Sequence, residues 1–585
     1  MAPRKKTTSS IPEGPPPKAT GASDHERFEK ELQTLAVKAK GDSWNQSALG
    51  QASIYLKTAV VLALLGVASH VSQLALSPVF GSIPASIPHK PILMAGCFVG
   101  WSGNLFLNNV LPVSADVFLS LFALHFPVVQ FFVGQFSEKL GPWWGPLLIE
   151  GLTLFPLSVV SAACVANYLE SAELGALPKF VAEAAPGIGS WGLFRFAERV
   201  AGTQLQSLIG RTFVATRIGL QLLVAAVYAV LAPSKYLVLA IPALLHTAVL
   251  NTHVMTPMAT DMLNTTMKAE NWTLLDRRES MTGYVSVIED QQKGVRALRC
   301  DHSLLGGEWV KYKGPIISEP IYGVFVMLEA VRLVEREVPI VDEESNALVV
   351  GLGVGTTPSA FVTHGINTTV VEIDPVVHEF ASKYFDYREN NAPVIADAVS
   401  YTAQLVNEST TKFDYIVHDV FTGGAEPVEL FTLEFFQGLN ALLKDDGSIA
   451  INYAGDFGAP TPKMIIRTIK QVFPSCRVFR ENPRLDSNVE AWGSDFVNMV
   501  IFCQKRPDEL KFRRPVEKDF MKSRLRHVFL EPRHEIPEST WLEDDDKSIL
   551  AKNSTGKVTK LHQKSAIGHW TIMRTVIPAK IWELW

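Results

Sequence analysis

The sequence predicts a multi-pass α-helical membrane region, followed by a Rossmann-like α/β domain with a small N-terminal β-unit. Three observations lead to this fold class. The first half of the chain carries six long apolar stretches. The second half carries short β-branched runs that end in glycines or in a carboxylate. The chain has 585 residues, too many for one ordinary core, so several units are expected.

The expected organisation has five parts, separated by changes in composition. In chain order they are a disordered polar tail, a transmembrane region, a small β-unit, a Rossmann-like domain and a C-terminal extension, over residues 1–50, 51–255, 275–325, 326–505 and 506–585. The tail is expected to be flexible because it is polar and contains three consecutive prolines. The extension is charged and has an aromatic end, and whether that end packs on the domain or touches a membrane is left open.

The apolar stretches predict six transmembrane helices, at 54–76, 92–111, 115–136, 146–167, 212–232 and 235–253. About twenty apolar residues suffice to cross a hydrocarbon core of roughly 30 Å. Buried core helices of a soluble protein are the alternative, but the charges lie mostly between the stretches or near their ends. The intervening segment 187–209 mixes apolar residues with Arg195, Glu198 and Arg199, and is expected to lie flat on the membrane.

The distribution of lysine and arginine predicts the orientation of an integral membrane protein. Basic residues concentrate before the first stretch and in the long fourth connection, at Lys38, Lys40, Lys57, Lys179, Arg195, Arg199 and Arg211. Positive charge is retained on the cytoplasmic side, so both termini are expected in the cytosol.

Composition narrows the classes of ligand. The formal net charge is −5, which provides no global basic surface for nucleic acid. The five cysteines are scattered and form neither a CxxC motif nor a Cys/His cluster, so no metal and no disulfide framework are expected. This cysteine usage is compatible with a reducing compartment.

The stretch Ala347-Leu-Val-Val-Gly-Leu-Gly-Val-Gly355 is a β-branched run that enters a glycine turn at Gly351, Gly353 and Gly355. The next run places Glu372 seventeen residues after the last glycine. In a parallel sheet such a turn lets a ligand approach bare backbone, and the following acid can accept hydrogen bonds from ribose hydroxyls. An adenine nucleoside is therefore the predicted ligand; a purely structural tight turn is the alternative.

Two further apolar runs end in Asp397, which is followed by Ala398, and in Asp419. Ligands bind outside the carboxyl ends of the strands in a doubly wound sheet, so these residues are expected to share the crevice with the glycine turn. The third glycine of a pyrophosphate-binding motif is absent after Gly355. The pattern favours a sulfonium nucleoside, S-adenosylmethionine or its decarboxylated form, whose positive charge Asp419 would face.

The motifs of residues 282–505 together resemble the spermidine synthase family of aminopropyltransferases, most closely its membrane-fused branch. They are Gly351-Leu-Gly-Val-Gly355, Val371-Glu-Ile-Asp-Pro375, Ala396-Asp397, Asp419-Val-Phe-Thr-Gly-Gly-Ala-Glu-Pro427, Glu429-Leu-Phe-Thr-Leu-Glu-Phe435 and Leu443-Lys-Asp-Asp-Gly-Ser448. The resemblance implies the fold of class I methyltransferases and spermidine synthases. By the same resemblance Glu372 holds the ribose, Asp397 the adenine amino group, Asp419 lies beside the sulfonium, and Tyr322 is the family's site tyrosine.

Three departures weaken the reaction that this resemblance implies. Val354 stands where the family has an amine-binding aspartate in the glycine turn, Thr422 replaces a second aspartate, and Tyr322 is followed by Gly323-Val324 instead of Gln-Glu. A buried cationic amine without partners is costly, so polyamine synthesis is disfavoured.

The sequence therefore favours a membrane-anchored transferase that moves a methyl group from S-adenosylmethionine to a small-molecule acceptor, amine or lipophilic, that it does not identify. Aminopropyl transfer from decarboxylated S-adenosylmethionine is the enzymatic alternative. A non-catalytic nucleoside-binding regulator on a membrane scaffold or transporter is the alternative from another class. The predicted catalytic residues are Asp419 and Tyr322, Asp374 is expected to cap a helix, His418 is expected to be a packed residue, and a homodimer is left open.

Overall fold

The computed structural model describes residues 22–172, 178–420, 424, 426–484, 495–542 and 547–585, and of residues 22–47 the backbone alone. An N-terminal helical region precedes two β-sheets, and a helical C-terminal segment returns to both. The N-terminal helices are α1 (Ala22–Phe80), α2 (Ser82–Ser102), α3 (Asn104–Val110), α4 (Val117–Gly134), α5 (Ser137–Leu152), α6 (Leu154–Glu170), α7 (Lys179–Leu208), α8 (Arg217–Leu231), the 3₁₀ turn Lys235–Ala240, α9 (Ile241–Val249) and α10 (Pro257–Ala269). Helix α1 begins inside the stretch that the sequence predicts to be a disordered tail.

Three helical segments in the described part of the chain are long and apolar enough to cross a membrane: Ala48–Phe80, Val117–Gly134 and Ser137–Glu170. The sequence predicts six. The apolar helices Arg217–Leu231 and Lys235–Val249 fall in the range of 10–17 residues, so at about 1.5 Å per residue they reach at most about 26 Å. Pro233 lies between these two helices and cannot extend either of them.

Buried polar contacts join the N-terminal helices. The carboxyl group of Glu150 on α5 accepts a hydrogen bond from the Ser72 hydroxyl of α1 at 2.9 Å and lies 3.2 Å from Nδ1 of His89 on α2. Helix α7 packs along α1, and a Cβ on Gly66 would lie 2.9 Å from the backbone nitrogen of Glu198. The segment expected to lie flat on a membrane is therefore packed against its neighbour, because Gly66 allows two helix backbones to approach closely.

A four-stranded antiparallel sheet follows the helical region. Its strands β1 (Trp272–Glu279), β2 (Tyr284–Asp290), β3 (Val295–Cys300) and β4 (Ser303–Trp309) are paired in chain order. This sheet corresponds to the predicted small β-unit. Helix α11 (Gly323–Glu329) and the 3₁₀ turns Ala330–Leu333 and Asp342–Glu344 lead to the next domain.

The second sheet has eight strands in the order β12-β10-β11-β9-β8-β5-β6-β7. Strands β5 (Asn346–Val350), β6 (Asn367–Glu372), β7 (Val394–Ile395), β8 (Phe413–His418) and β9 (Leu443–Asp456) are parallel, and β10 (Ser475–Arg480), β11 (Phe496–Gln504) and β12 (His534–Glu535) extend the sheet with antiparallel pairs. The connecting helices are α12 (Thr356–Thr363), α13 (Pro375–Tyr384), α14 (Ala398–Glu408), the 3₁₀ turn Val428–Phe431, α15 (Leu433–Leu442) and α16 (Pro460–Val472). This is the predicted Rossmann-like fold, with a mixed sheet.

Each face of the large sheet is covered by a separate apolar cluster. On one face Ile416 and Ile451 pack with Phe436 of α15 and Ile465 of α16. On the other face Val417, Ala450, Val500 and Phe479 pack with Met327 of α11 and Phe361 of α12. Residues two apart in a strand lie on the same face, so this division fixes the face of every residue at the strand ends.

The C-terminal segment contains α17 (Glu517–Phe520), α18 (Arg524–Phe529), α19 (Ser539–Leu542), α20 (Gly556–Val576) and α21 (Ala579–Leu584). The Trp585 ring lies 4.1 Å from the His253 ring and 5.2 Å from the Tyr284 ring of β2. The carboxyl group of Glu583 accepts a hydrogen bond from Ser137 of α5 at 2.8 Å. The aromatic end of the chain therefore packs between the helical region and the small sheet.

One cysteine expectation is wrong. Cys476 on β10 and Cys503 on β11 form a disulfide, whereas the sequence predicts no disulfide. The two residues are 27 positions apart in the sequence but directly opposite in the antiparallel pair. Only strand register brings them together. Disulfides persist mainly in oxidising compartments, so this bond also departs from the expectation of a reducing one.

We expect the substitution Trp585→Ala to lower the free energy of unfolding by about 3 kcal/mol, because it empties a buried aromatic site. Trp585 is 2% exposed. The measurement is chemical unfolding of the full chain in detergent, with Trp144→Ala as the control at a side chain that is 67% exposed. Equal losses in the two variants would contradict the packing described above.

Candidate active site

At the glycine turn after β5, the backbone closely approaches the backbones of two other segments. Gly351, Gly353 and Gly355 have φ angles of 90°, 56° and 80°. A Cβ would lie 2.0 Å from the Asp419 carbonyl oxygen at Gly351, and 2.4 Å from the Leu305 carbonyl oxygen at Gly353. Only glycine combines these angles with this clearance. The turn therefore brings β5, the end of β8 and the small sheet together at one point.

Glu372, at the end of β6, is directed into this turn. Its Oε2 accepts the Leu352 N–H at 3.0 Å and its Oε1 accepts the Asp374 N–H at 2.9 Å. Each oxygen retains capacity for another donor, such as a ribose hydroxyl. Burial, which leaves the residue 8% exposed, raises the pKa of Glu372 to about 7, while these backbone N–H groups oppose the shift.

Asp374 and Asp397 both cap helices. Asp374 accepts the Val376 N–H at 2.8 Å at the start of α13, as predicted. Asp397 is exposed at the end of the short strand β7 and accepts the Ser400 N–H at 2.9 Å and the Ser400 hydroxyl at 2.7 Å, at the start of α14. Ala398 is buried at the first position of α14. Asp397 therefore caps α14, and its contact with adenine stays a prediction.

Asp419 follows β8 and is half-buried. Its backbone N–H donates to the Val350 carbonyl at 2.8 Å, and its Oδ1 accepts the Asn452 side-chain amide at 2.7 Å. Burial raises the pKa of Asp419 to about 6, and the Asn452 hydrogen bond opposes this shift. Asn452 is not among the site residues predicted from the sequence, although an amide that interrupts the apolar run of β9 indicates a possible site residue.

Tyr322 immediately precedes α11, on the sheet face that carries Asp419. Its hydroxyl is buried and has no hydrogen-bond partner in the described structure. Burial, with a smaller contribution from the charge of Glu481, raises the pKa of Tyr322 to about 12. Glu481 follows β10, accepts the Val324 N–H at 3.1 Å and accepts the Asn498 side-chain amide at 2.9 Å. Neither Glu481 nor Asn498 is among the site residues predicted from the sequence.

The residues that depart from the aminopropyltransferase pattern have apolar surroundings. Val354 is buried in the cluster that joins the small sheet to α13, with Val377 and Phe380. Gly323 packs closely against the Phe529 ring, and a Cβ there would lie 2.6 Å from it. Thr422 lies outside the described residues. Neither Val354 nor Gly323 can supply a polar contact to the amines that an aminopropyltransferase binds.

His418 and Glu426 flank the loop after β8. His418 is buried, its Nε2 lies 2.9 Å from the Leu430 carbonyl oxygen, and burial lowers its pKa to about 4. Packing against Phe431 makes it a core residue, as expected. Glu426 binds the Tyr453 hydroxyl and lies 2.6 Å from Nε2 of His562 on α20. The C-terminal segment therefore contacts Glu426, which precedes the 3₁₀ turn Val428–Phe431.

These observations define what the crevice can hold. The glycine turn offers bare backbone, Glu372 offers acceptor oxygens, and Asp419 offers a carboxyl group without a described cationic partner. This set suits a nucleoside with a positively charged sulfur. Within the described residues no group of three or more histidines, cysteines, aspartates and glutamates could hold a metal ion.

Comparisons with known proteins give the relatives of this chain. Residues 332–490 match the family described as Spermine/spermidine synthase domain. The chain is 45% identical over 544 residues to the N-terminal histidine N-methyltransferase of Emericella nidulans, over 90% of this chain and 97% of that protein. It is 28% identical over 193 residues to the polyamine aminopropyltransferase of Vibrio vulnificus, over 31% of this chain and 59% of that protein. Spermidine synthase from Thermotoga maritima aligns with a TM-score of 0.29 and 19% identity, over 49% of this chain and 84% of that one.

The fold and the crevice define a Rossmann-like transferase of the spermidine synthase type. The chain belongs to the family of the N-terminal histidine N-methyltransferase of Emericella nidulans, because the identity of 45% extends over nearly the whole of both proteins. Membership of a methyltransferase family confirms the expectation of a transferase that uses S-adenosylmethionine.

We expect the affinity for S-adenosylhomocysteine to fall as the pH is lowered through about 7, because ribose hydroxyls donate to the ionised form of Glu372. The dissociation constant would rise by up to about tenfold per pH unit. Calorimetry between pH 6 and pH 8 measures it. The Glu372→Gln variant should bind weakly with little pH dependence, whereas Glu379→Gln, at an exposed surface pair with Arg278, should behave as the parent chain does. A pH-independent affinity in the parent chain would contradict this role.

Proposed function

We propose that this protein is a membrane-anchored methyltransferase that transfers a methyl group from S-adenosylmethionine to the N-terminal histidine of a protein or peptide. The observation that carries the proposal is the 45% identity to an N-terminal histidine N-methyltransferase over 97% of that protein. Local chemistry agrees with it, since Val354 and Gly323 replace groups that the resemblance assigns to polyamine binding. The proposed acceptor, an N-terminal histidine, differs from the unidentified small molecule, amine or lipophilic, that is expected from the sequence.

S-adenosylmethionine supplies an electrophilic methyl group on a sulfonium. In the transfer, a lone pair on a histidine nitrogen forms the new N–C bond while the C–S bond breaks, and the C–S electron pair remains on sulfur. The methylated imidazole or amino group then releases one proton. The chain needs to hold the two reactants in line, and proximity supplies much of the acceleration.

In this proposal Asp419 acts on the acceptor. It lies between the glycine turn and Asn452, whose amide fixes the orientation of its carboxyl group. With a pKa of about 6, Asp419 is mainly ionised at neutral pH and can orient an N–H group or accept the released proton. Glu372 and the glycine turn hold the nucleoside, and they need not move during the reaction.

The membrane anchor is part of this proposal. It is supported by three helical segments of sufficient length and apolar character, and by helix packing that links them to the transferase domain. Retention of the full chain in membranes after alkaline carbonate washing tests the anchor. Protease protection of a C-terminal tag in the same membranes tests the expected cytosolic termini.

We expect the full-length protein in detergent to methylate a peptide that begins with histidine, and not the same peptide preceded by an added alanine. Mass spectrometry detects the addition, and peptide fragmentation locates it on the first residue. The absence of transfer to any peptide with N-terminal histidine would overturn the proposal.

The Asp419→Asn variant should lose about 10²-fold or more in kcat, because it removes the group that aligns or deprotonates the acceptor. Its affinity for S-adenosylhomocysteine, whose sulfur carries no charge, should change little. The parent rate should rise with pH through about 6 as Asp419 ionises, and this limb should vanish in the variant. Asp445→Asn, at a fully exposed carboxylate, is the control. Unchanged kcat in Asp419→Asn would contradict the assigned role.

A further inference from the structure

A second carboxyl group, Glu481, lies on the same face and the same edge of the sheet as Asp419. Asp419 continues the β8 positions Tyr415 and Val417, which pack in the cluster on the α11 face. Glu481 continues β10 from Phe479, which belongs to the same cluster. Side chains two apart in a strand point to the same face, so both carboxyl groups lie on the face that α11 covers.

Amides connect the two carboxyl groups along this edge. Asn452 of β9 donates to Asp419 at 2.7 Å, and Asn498 of β11 donates to Glu481 at 2.9 Å. Asn452 pairs in register with Val500, and Asn498 with Ala454, so the two asparagines are diagonal neighbours on adjacent strands. The result is a polar row in the order Asp419, Asn452, Asn498 and Glu481.

Each carboxyl group contacts an asparagine of a strand that lies between β8 and β10: Asp419 contacts Asn452 of β9, and Glu481 contacts Asn498 of β11. Strands β8 and β10 are three strand spacings apart, which is about 14 Å at about 4.8 Å per spacing. Asp419 is level with Asn452 and Glu481 with Asn498, which pairs with Ala454, so the two positions are also offset by about 7 Å along the strands. The two carboxyl groups, both on the face that α11 covers, therefore lie at opposite ends of one polar row.

Glu481 also lacks a cation. Some carboxyl groups buried in this domain have one: Arg526 lies 2.6 Å from Glu329, and Lys444 lies 2.7 Å from Asp414. The buried Asp374 has none, but it accepts hydrogen bonds from the Ser280 and Thr282 hydroxyls. Glu481 has no lysine, arginine or histidine partner in the described structure, and its hydrogen bonds come from a backbone N–H and an amide. The charge of Glu481 contributes to the raised pKa of Tyr322, whose buried hydroxyl has no hydrogen-bond partner in the described structure.

We infer that Glu481, with Asn498 and Tyr322, forms a subsite for the α-ammonium group of the acceptor; this inference rests on the proposed function. An α-amino group with an ordinary pKa of about 7.7–8.0 is mainly protonated at neutral pH, whereas an imidazole with a pKa of about 6.5 is mainly neutral. The ammonium group therefore suits the carboxylate that is distant from the nucleoside. The imidazole, which keeps a lone pair, is directed to Asp419 and the methyl group.

The subsite explains how a terminal histidine is distinguished from an internal one. A histidine within a chain has an uncharged amide nitrogen in place of the ammonium group, so it leaves Glu481 without a counter-ion. A hydrogen bond between two charged groups is stronger than one between neutral groups. Glu481 thus selects the chain terminus, while Asp419 acts at the side chain.

The test compares two acceptor peptides that differ only in the α-amino group, one with N-terminal histidine and one with imidazolepropionyl in its place. With the full-length protein in detergent, kcat/KM should fall by about 10-fold or more when the amino group is removed. In Glu481→Gln this ratio should approach one, through a raised KM for the histidine peptide. The affinity for S-adenosylhomocysteine should stay at the parent value, which also reports on folding.

Glu535→Gln is the matched control, because it removes one carboxylate from an exposed pair with Arg477 on the same β10 strand. It should keep the parent ratio. A parent protein that methylates both peptides equally overturns the subsite whatever the variant does, and so does a Glu481→Gln variant with the parent ratio. Both results leave the proposed function standing.

Failure of the parent protein to methylate either peptide overturns the proposed function. The subsite is then decided by calorimetry of histidine amide in the presence of S-adenosylhomocysteine. Binding that Glu481→Gln loses and Glu535→Gln keeps supports the subsite. Absent binding, or equal binding in the parent and in Glu481→Gln, overturns it.

Discussion

The approach of the glycine turn to the end of β8 is the constraint on which the rest of the transferase domain depends. A Cβ on Gly351 would lie 2.0 Å from the Asp419 carbonyl oxygen, and one on Gly353 would lie 2.4 Å from that of Leu305. These contacts hold β5, β8 and the small sheet in one arrangement. The same backbone lines the crevice in which we propose that the nucleoside binds, so packing and the proposed ligand binding impose one requirement on these positions. Neither function could be altered there without altering the other.

Several buried carboxyl groups of the transferase domain have a cationic counter-ion, whereas those at the carboxyl edge of its sheet do not; the buried helix cap Asp374 also lacks one and accepts from the Ser280 and Thr282 hydroxyls instead. Glu329, Asp414 and Asp519 are buried in the domain and each lies within 3.1 Å of an arginine or a lysine. Glu372, Asp419 and Glu481 stand at the carboxyl edge and accept hydrogen bonds only from backbone N–H groups and amides in the described structure. A buried carboxyl group without a cation is costly in its charged form. In the proposed function the reactants supply positive charge to Asp419 and Glu481, whereas Glu372 accepts hydrogen bonds from the ribose hydroxyls.

The C-terminal segment makes the helical region and the transferase domain one structure. Trp585 packs on His253 and Tyr284, Glu583 binds Ser137, and His562 of α20 approaches Glu426 in the loop after β8. One segment thus contacts the helices, the small sheet and the edge of the active site. This continuity agrees with identity to a relative that extends over both regions.

The Rossmann-like fold and the small β-unit could be predicted from the sequence, and the positions expected to bind the nucleoside could be named from it. Those signals are local, because a glycine turn, a strand end and a helix cap each occupy a few consecutive residues, as at Gly351, Glu372 and Asp374. The number of helices long enough to span a membrane could not be predicted, since Gly103 divides the apolar stretch 92–111 and the two stretches on either side of Pro233 form only short helices. Strand register decided the rest. It alone placed Cys476 opposite Cys503 and aligned Asn452, Asn498 and Glu481 in one row with Asp419, because side chains from distant segments meet only after the strands have paired.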